Sequence, residues 1–438
     1  MVKKLGIGLL IVALAFFAFM VVQKGKLEEK LTALLQSKNV QVERSDVNLL
    51  PSPSIELQKI RYGLNENYQL SADNLSLNLS WWGILTAHSE IADIQVNNGA
   101  VFADSIIKLK AINGTITPID FSLSELPIFI EQRKAEESWE NIIPKVQLDL
   151  SVLTEQDDKL TLKASQLDVM KNELHWQDLQ AVLALNNRRL FNTDKLAITA
   201  KNGSVNWFSN NYNIRTDLSI NQLQFKQLES DFETQPDIQG HAVLFGMNDE
   251  YVEFDFSPLS LMLKSKQFPL QPLLDTFNIP VLITGKVNGE ARLFAEDYFP
   301  IEGEIRAEVT EGELNGLNLL ELVSQYAPIN YDDGQLKQKT NSTRFERIFT
   351  HFYWKPTELY IKNTQLFHQR FIVHSAGNID LTNGKCDVNA EISVNDRRFD
   401  LLKLPVHFFG DCQSPQYKVK FDRAFRDQLR EFIKEKFK

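Results

Sequence analysis

Lys385-Cys386-Asp387-Val388-Asn389-Ala390-Glu391-Ile392-Ser393-Val394 decides the fold. Cys386, Val388, Ala390, Ile392 and Val394 alternate with charged and polar residues, and a period of two marks a strand with one apolar and one wet face. The same rhythm runs through most of the chain. Leu75, Leu77, Leu79 and Trp81 form such a row, as do Val146, Leu148, Leu150 and Val152, then Leu160, Leu162 and Ala164. Val252, Phe254 and Phe256 form another, and Tyr417, Val419 and Phe421 a last one. Asn-Gly pairs lie between these rows at Asn98-Gly99, Asn113-Gly114, Asn202-Gly203, Asn288-Gly289, Asn315-Gly316 and Asn383-Gly384. Both residues tolerate positive φ, so each pair predicts a tight hairpin.

The intervening helical patterns of roughly ten to fifteen residues that a parallel sheet requires are missing, so the rows predict a mainly β fold built on an antiparallel sheet. Helical interruptions are few: Pro127 to Trp139, Pro269 to Phe277 and Leu319 to Gln325, with the charged stretch Glu131 to Glu140 equally readable as a loop. At the C-terminus, Phe425, Leu429, Phe432, Ile433 and Phe437 fall near one face of a helix from Arg423, and six basic residues stand among three acids. That helix either docks on an anionic surface or partner or covers an open sheet end.

The first 26 residues differ in kind. From Leu5 to Val22 there are 18 residues without a charge, about 27 Å of helix, close to the hydrocarbon thickness of a bilayer. The membrane-facing residues of this anchor are Leu5, Ile7, Leu9, Leu10, Ile11, Val12, Leu14, Phe16, Phe17, Phe19, Val21 and Val22. Ala13-Leu14-Ala15 also has the spacing that a signal peptidase accepts, but the apolar run continues well past it, which favours a retained anchor. Lys3 and Lys4 before the segment balance Lys24 and Lys26 after it, so the lysines leave the orientation open. A short N-terminal tail and a single span place the long remainder outside the cytoplasm, most simply in a bacterial periplasm. Leu27, Leu31, Leu34 and Leu35 then predict a short amphipathic helix ending by Asn39. The chain thus divides into an anchor at 1–26, β regions at 27–130, 131–300 and 301–422, and a terminal helix at 423–438.

Of 438 residues, 57 are acidic and 47 basic, a net charge of −10 that argues against nucleic acid as a partner. Motifs that carry chemistry are missing. No H-E-x-x-H pair and no G-x-S-x-G elbow occurs, and Thr284-Gly285-Lys286 lacks the upstream glycine of a phosphate loop. The expectation is a protein without enzymatic activity, cofactor or metal. His368 and His374, taken as six positions along one strand, would lie about 20 Å apart, too far to share an ion. Cys386 and Cys412 both fall on apolar parity and are either a disulfide between neighbouring strands or two small buried hydrophobes. Trp81-Trp82 reads as core at a strand end or as a membrane-interface anchor.

Two regions resemble the AsmA family of envelope proteins. The first is the anchor and helix followed by Leu49-Leu50-Pro51-Ser52-Pro53-Ser54-Ile55-Glu56-Leu57, Ala72-Asp73-Asn74-Leu75-Ser76-Leu77 and Ile94-Gln95-Val96-Asn97-Asn98-Gly99. The second is Glu311-Gly312-Glu313-Leu314-Asn315-Gly316-Leu317-Asn318-Leu319, then Thr343-Arg344-Phe345, Ser375-Ala376-Gly377-Asn378-Ile379-Asp380-Leu381 and Leu404-Pro405-Val406, leading to Gly410 and Pro415. The resemblance implies a single-pass inner-membrane protein whose bulk is a periplasmic, elongated and curled antiparallel sheet with an open apolar groove. It further implies a role in outer-membrane assembly, with membrane phospholipid and other envelope proteins as partners. On that reading the groove is lined by Leu75, Leu77, Leu79, Val146, Leu148, Leu150, Leu160, Leu162, Val252, Phe254, Phe256, Val388 and Ile392. A non-enzymatic scaffold, with the same rows closed into a core, is the competing expectation, because a core face and a groove face look alike in sequence.

Overall fold

The computed structural model describes residues 19–29, 31–33, 35, 40–63, 68–81, 91–103, 106–119, 145–170, 172–235, 237–326, 341–397, 403–421 and 423–436. The chain divides into two compact units, Met1–Asn187 with Lys195–Asn206 and Arg188–Asp194 with Trp207–Lys438. Both are mainly β, with every strand pairing antiparallel. The first carries β1 (Arg44–Asn48), β2 (Ser54–Gly63), β3 (Tyr68–Leu79), β4 (Ile91–Ala103), β5 (Ile106–Ile119), β6 (Lys145–Thr154), β7 (Lys159–Met170), β8 (Glu173–Ala184) and β9 (Lys195–Phe208). Each pairs with the next in sequence.

The second unit continues with β10 (Asn211–Ile220), β11 (Leu223–Glu233), β12 (Gln239–Phe245), β13 (Tyr251–Ser257), β14 (Ser260–Pro269), β15 (Ile283–Glu296), β16 (Phe299–Asn315), β17 (Ser342–Lys355), β18 (Glu358–His368), β19 (Phe371–Asp380), β20 (Lys385–Val394), β21 (Lys403–Asp411) and β22 (Gln416–Val419). Short helices interrupt it: α1 (Leu270–Thr276) between β14 and β15, α2 (Leu319–Tyr326) between β16 and β17, and α3 (Arg423–Lys436) after β22. All three fall where the sequence places helices; Pro127 to Trp139 lies outside the described residues. Among the described residues no pairing joins β1 to β9 or β10 to β22, so the strands of neither unit close into a barrel.

The Asn-Gly pairs do not turn the hairpins expected of them. Asn383-Gly384 alone does, between β19 and β20, with Gly384 at φ +68°. The pairs at 98, 113, 202 and 288 lie inside β4, β5, β9 and β15, and Asn315 ends β16. Their work is to accommodate bulges. Asn98 (φ 50°) and Gln267 (φ 51°) sit where the ladder register slips. A bulged residue leaves its N–H without a ladder partner. Asn113 Oδ1 accepts the Asn98 N–H at 2.9 Å, and Asn288 Oδ1 accepts that of Gln267 at 2.8 Å. Glycine follows because the strands close in: a Cβ on Gly114 (φ +147°) would lie 2.1 Å from the Asp149 carbonyl oxygen. Elsewhere less conspicuous pairs turn the chain, as at Asp297-Tyr298, where both residues take positive φ and satisfy a type I′ turn.

Packing in the second unit is continuous. Phe268, Val287, Val309, Ile348, Leu366, Val373, Ile392 and Leu404 stand opposite one another from β14 to β21, all of them buried. The helices cover this row. Leu319, Leu322 and Val323 of α2 are each 1% exposed, Leu270 and Leu273 of α1 pack beside them, and Phe425 and Leu429 of α3 join the same core. The terminal helix therefore covers sheet, one of the two uses its sequence allowed. Asn318 caps α2, its Oδ1 accepting the Glu321 N–H at 3.0 Å.

Of the expected anchor, Leu5, Ile7, Leu9, Leu10, Ile11, Val12, Leu14, Phe16 and Phe17 lie outside the described residues. Phe19, Val21 and Val22 lie in a helix described over 19–29, which crosses the expected boundary at residue 26 without a break. Met20, Leu27 and Leu31 are buried against Val47, Leu49, Ile55, Leu57, Leu79 and Ile91, whereas Val21 and Val22 are more than half exposed. Among the described residues no helix is long and apolar enough to cross a membrane.

Candidate functional site

The apolar face of β4 to β9 in the first unit is the candidate site. Its geometry follows from register: Val96, Gly114, Leu150, Leu162, Ala181 and Ile198 face each other in turn across six strands. Beside this row run Ile94, Ile116, Leu148 and Ala164. On its other side run Val152, Leu160, Leu183 and Leu196. Apolar side chains thus stack in rows across the strands, and these rows contain no ionisable group. Val152 and Ala164 are buried, while Leu148, Leu150, Leu160, Leu162, Leu183, Leu196 and Ile198 are half-buried. Among the described residues no helix packs over this face beyond β4.

The reverse face is polar and its charges are matched. Asp149 accepts from Lys163 at 2.8 Å, Lys110 reaches Asp157 at 2.6 Å, and Asp178 accepts the Ser165 hydroxyl at 3.2 Å. Asp158, only 3% exposed, accepts the Asn186 N–H at 2.8 Å and so ties the β6–β7 turn to the end of β8. These carboxylates have structural partners, and among the described residues no three His, Cys, Asp or Glu side chains are grouped to hold a metal.

The residues expected to line a groove separate into three environments. Val146, Leu148, Leu150, Leu160 and Leu162 lie on the half-buried face of the first unit. Leu79 is buried beneath the N-terminal helix, with Leu75 and Leu77 at the margin of the same cluster. In the second unit Ile392 is fully buried and Val252, Phe254 and Val388 pack against its core, while Phe256 is half-buried with its ring 6.3 Å from that of Phe254. Trp176 joins the first unit's apolar face between Leu167 and Gly203. Its place was readable only from the glycine that faces it.

His368 and His374 do not share a strand. The chain turns at Gln369-Arg370, so His368 ends β18 and His374 lies in β19 opposite Gln365. His368 stacks on Phe371 with ring centroids 4.3 Å apart, and its Nδ1 accepts the Arg370 N–H at 3.1 Å. Burial holds its pKa below the ordinary imidazole value. Cys386 and Cys412 are both buried free thiols. Trp81 packs at the edge of the first unit's core, its indole N–H 3.4 Å from the Pro51 carbonyl.

No protein-family model matches the chain, and no solved structure matches it. Along its whole length it is similar to an uncharacterized protein of Haemophilus influenzae, 25% identical over 437 residues that cover 100% of each chain. That relative's name specifies no activity.

Proposed function

We propose that this chain is a membrane-anchored periplasmic protein of AsmA type that holds phospholipid acyl chains against the apolar face of β4 to β9 and thereby serves outer-membrane assembly. The observation that carries the reading is the row Val96, Gly114, Leu150, Leu162, Ala181 and Ile198, apolar across six strands and half-buried. Exposing an acyl chain of about fifteen methylenes to water costs on the order of 12 kcal/mol. A carrier between two membranes must replace that water with apolar surface, and one-faced strands stacked in register provide it. The resemblance of residues 49–57, 72–77 and 94–99 to AsmA proteins, and the uncharged run from Leu5 to Val22, support the same reading. The sheet would then be an elongated, curled groove along which lipid passes, with no catalytic step.

The filled interior of the second unit favours a distinct role for that part. With Ile392 at 0% exposure and α2 seated over its row, it has the packing of a platform rather than a conduit. It would bind other envelope proteins while the first unit holds lipid.

The decisive experiment is extraction of the purified full chain followed by mass spectrometry. Phospholipid bound near one equivalent or more is expected, and lower in Leu150→Arg with Leu162→Arg. A lipid-free preparation, or equal lipid in the double variant, would overturn the reading.

A further inference from the structure

Cys386 and Cys412 are the only cysteines in the chain, and the fold brings them together. Cys386 lies in β20 opposite Gly410 of β21, and the Cys412 N–H, just beyond β21, donates to the Gly384 carbonyl at 2.9 Å, so the pairing continues into the turn that joins β21 to β22. Both side chains are buried, and the two thiols are near enough to perturb each other's titration. Neither has a partner in a metal site among the described residues. We infer that Cys386 and Cys412 are an oxidation site, a dithiol that closes to a disulfide between β20 and the β21–β22 turn when a disulfide oxidant is present.

The mutual influence of the thiols points to Cys386 as the sulfur that acts first. The neighbouring Cys412 holds the Cys386 thiol below its ordinary pKa, whereas Cys386, and burial, push Cys412 up. Thiolate is the nucleophile in exchange. Cys386 Sγ loses its proton, attacks one sulfur of a small-molecule or protein disulfide and releases the first thiolate. Cys412 Sγ, deprotonated in turn, attacks the Cys386 sulfur of the mixed disulfide and releases the second. Two protein thiols become one S–S bond, the oxidant's S–S bond is reduced, and the two protons end on its two thiols. The product closes the loop from β20 through β21 and so fixes the strand from which β22 and α3 depart. A disulfide here acts on the C-terminal end of the second unit, whichever way the lipid reading stands.

The test uses the purified full chain, reduced and then incubated with oxidised glutathione, acid-quenched, denatured and alkylated. Peptide mapping without reductant is expected to recover the Cys386 and Cys412 peptides joined, lighter by two hydrogens than their sum. Neither thiol is then alkylated, and Cys386→Ser leaves Cys412 unjoined. The oxidised chain is also expected to melt several degrees higher than the reduced one, since a closed loop narrows the unfolded ensemble. Recovery of both cysteines alkylated, or each capped by glutathione, would overturn the inference.

Discussion

Two apolar faces with the same sequence rhythm end in different environments. On β14 to β21 of the second unit the row through Ile348 and Ile392 is buried to a few per cent exposure; on β4 to β9 of the first, Leu150, Leu162 and Ile198 remain half-buried. Strand composition does not separate them, since both rows are built mainly from Val, Leu and Ile, with Gly114 and Ala181 in the first and Phe268 in the second. The connections do. In the second unit the chain leaves the sheet after β14, after β16 and after β22, and each time returns a short helix to the apolar face. In the first unit the β6 to β7 turn is tight, and among the described residues no connection between β4 and β9 returns a helix to this face. Alternation specifies which face avoids water, and what lies between the strands decides whether anything covers it.

The largest effect that breaks this comparison is a charge placed in each row. Ile392→Asp puts a carboxylate at a site with 0% exposure and no partner, and is expected to cost about 4 to 5 kcal/mol or more, enough to abolish the second unit's cooperative melt by circular dichroism. Leu162→Asp meets water on the half-buried face and is expected to cost about 1 kcal/mol. Equal destabilisation by the two would mean that the first unit's face is as filled as the second's.

Leu150→Arg with Leu162→Arg sharpens the same contrast through binding. Two guanidinium groups on adjacent strands of one row force any acyl chain to desolvate charge, and a loss of about 1.4 kcal/mol corresponds to tenfold weaker binding. Retained lipid measured by mass spectrometry is expected to fall by roughly that factor or more, with the strand signal unchanged. The matched pair Ile348→Ala and Leu366→Ala in the second unit should alter stability and leave lipid content where it was.

Covering depends on helix ends as well as on apolar residues. Asn318→Ala removes the Oδ1 that accepts the Glu321 N–H, and loss of such a cap costs about 1 kcal/mol. Hydrogen exchange should quicken in α2 and in the β16 and β17 segments beneath it, with β6 and β7 unaffected. Exchange that rises evenly through both units would show that α2 is not the local cover that Leu319, Leu322 and Val323 make it.

The sequence disclosed the strands and the helices because each rests on a local period. Leu148 and Leu150 were legible as one-faced, and Pro269 to Phe277 as a helix, from their neighbours alone. Covering was not legible, since it depends on residues far apart: nothing near Ile392 in sequence announces Leu322, seventy positions away, which joins it in one core. The Asn-Gly pairs misled for a related reason. An Asn in a strand interior can also serve a bulge, by accepting the N–H that the bulge leaves unpaired, and only the neighbouring strand, with the Gln267 N–H aimed at Asn288, shows which. His368 and His374 failed as a strand pair because the turn at Gln369-Arg370 contains neither glycine nor proline.

The smallest effect concerns that turn and has a sign fixed by its geometry. Nδ1 of His368 accepts the Arg370 N–H, so protonating the folded imidazole sacrifices that bond and places a charge in a partly buried site beside Phe371. Burial lowers the pKa, with Glu346 opposing and Arg370 reinforcing the shift. Between the depressed folded value and the ordinary one of about 6.5, the unfolded chain binds more protons than the folded chain. The contribution to stability is therefore complete above about pH 6.5 and is lost as pH falls through the folded value. His368→Asn keeps an oxygen able to accept the Arg370 N–H two residues on but cannot titrate. The melting midpoint of the second unit should fall less on acidification in this variant than in the parent chain, and that of the first unit should not distinguish them. A parent and a variant that lose stability in parallel would place the acid sensitivity elsewhere, in carboxylates such as Glu304, whose pKa the Lys362 ammonium holds low on the polar face.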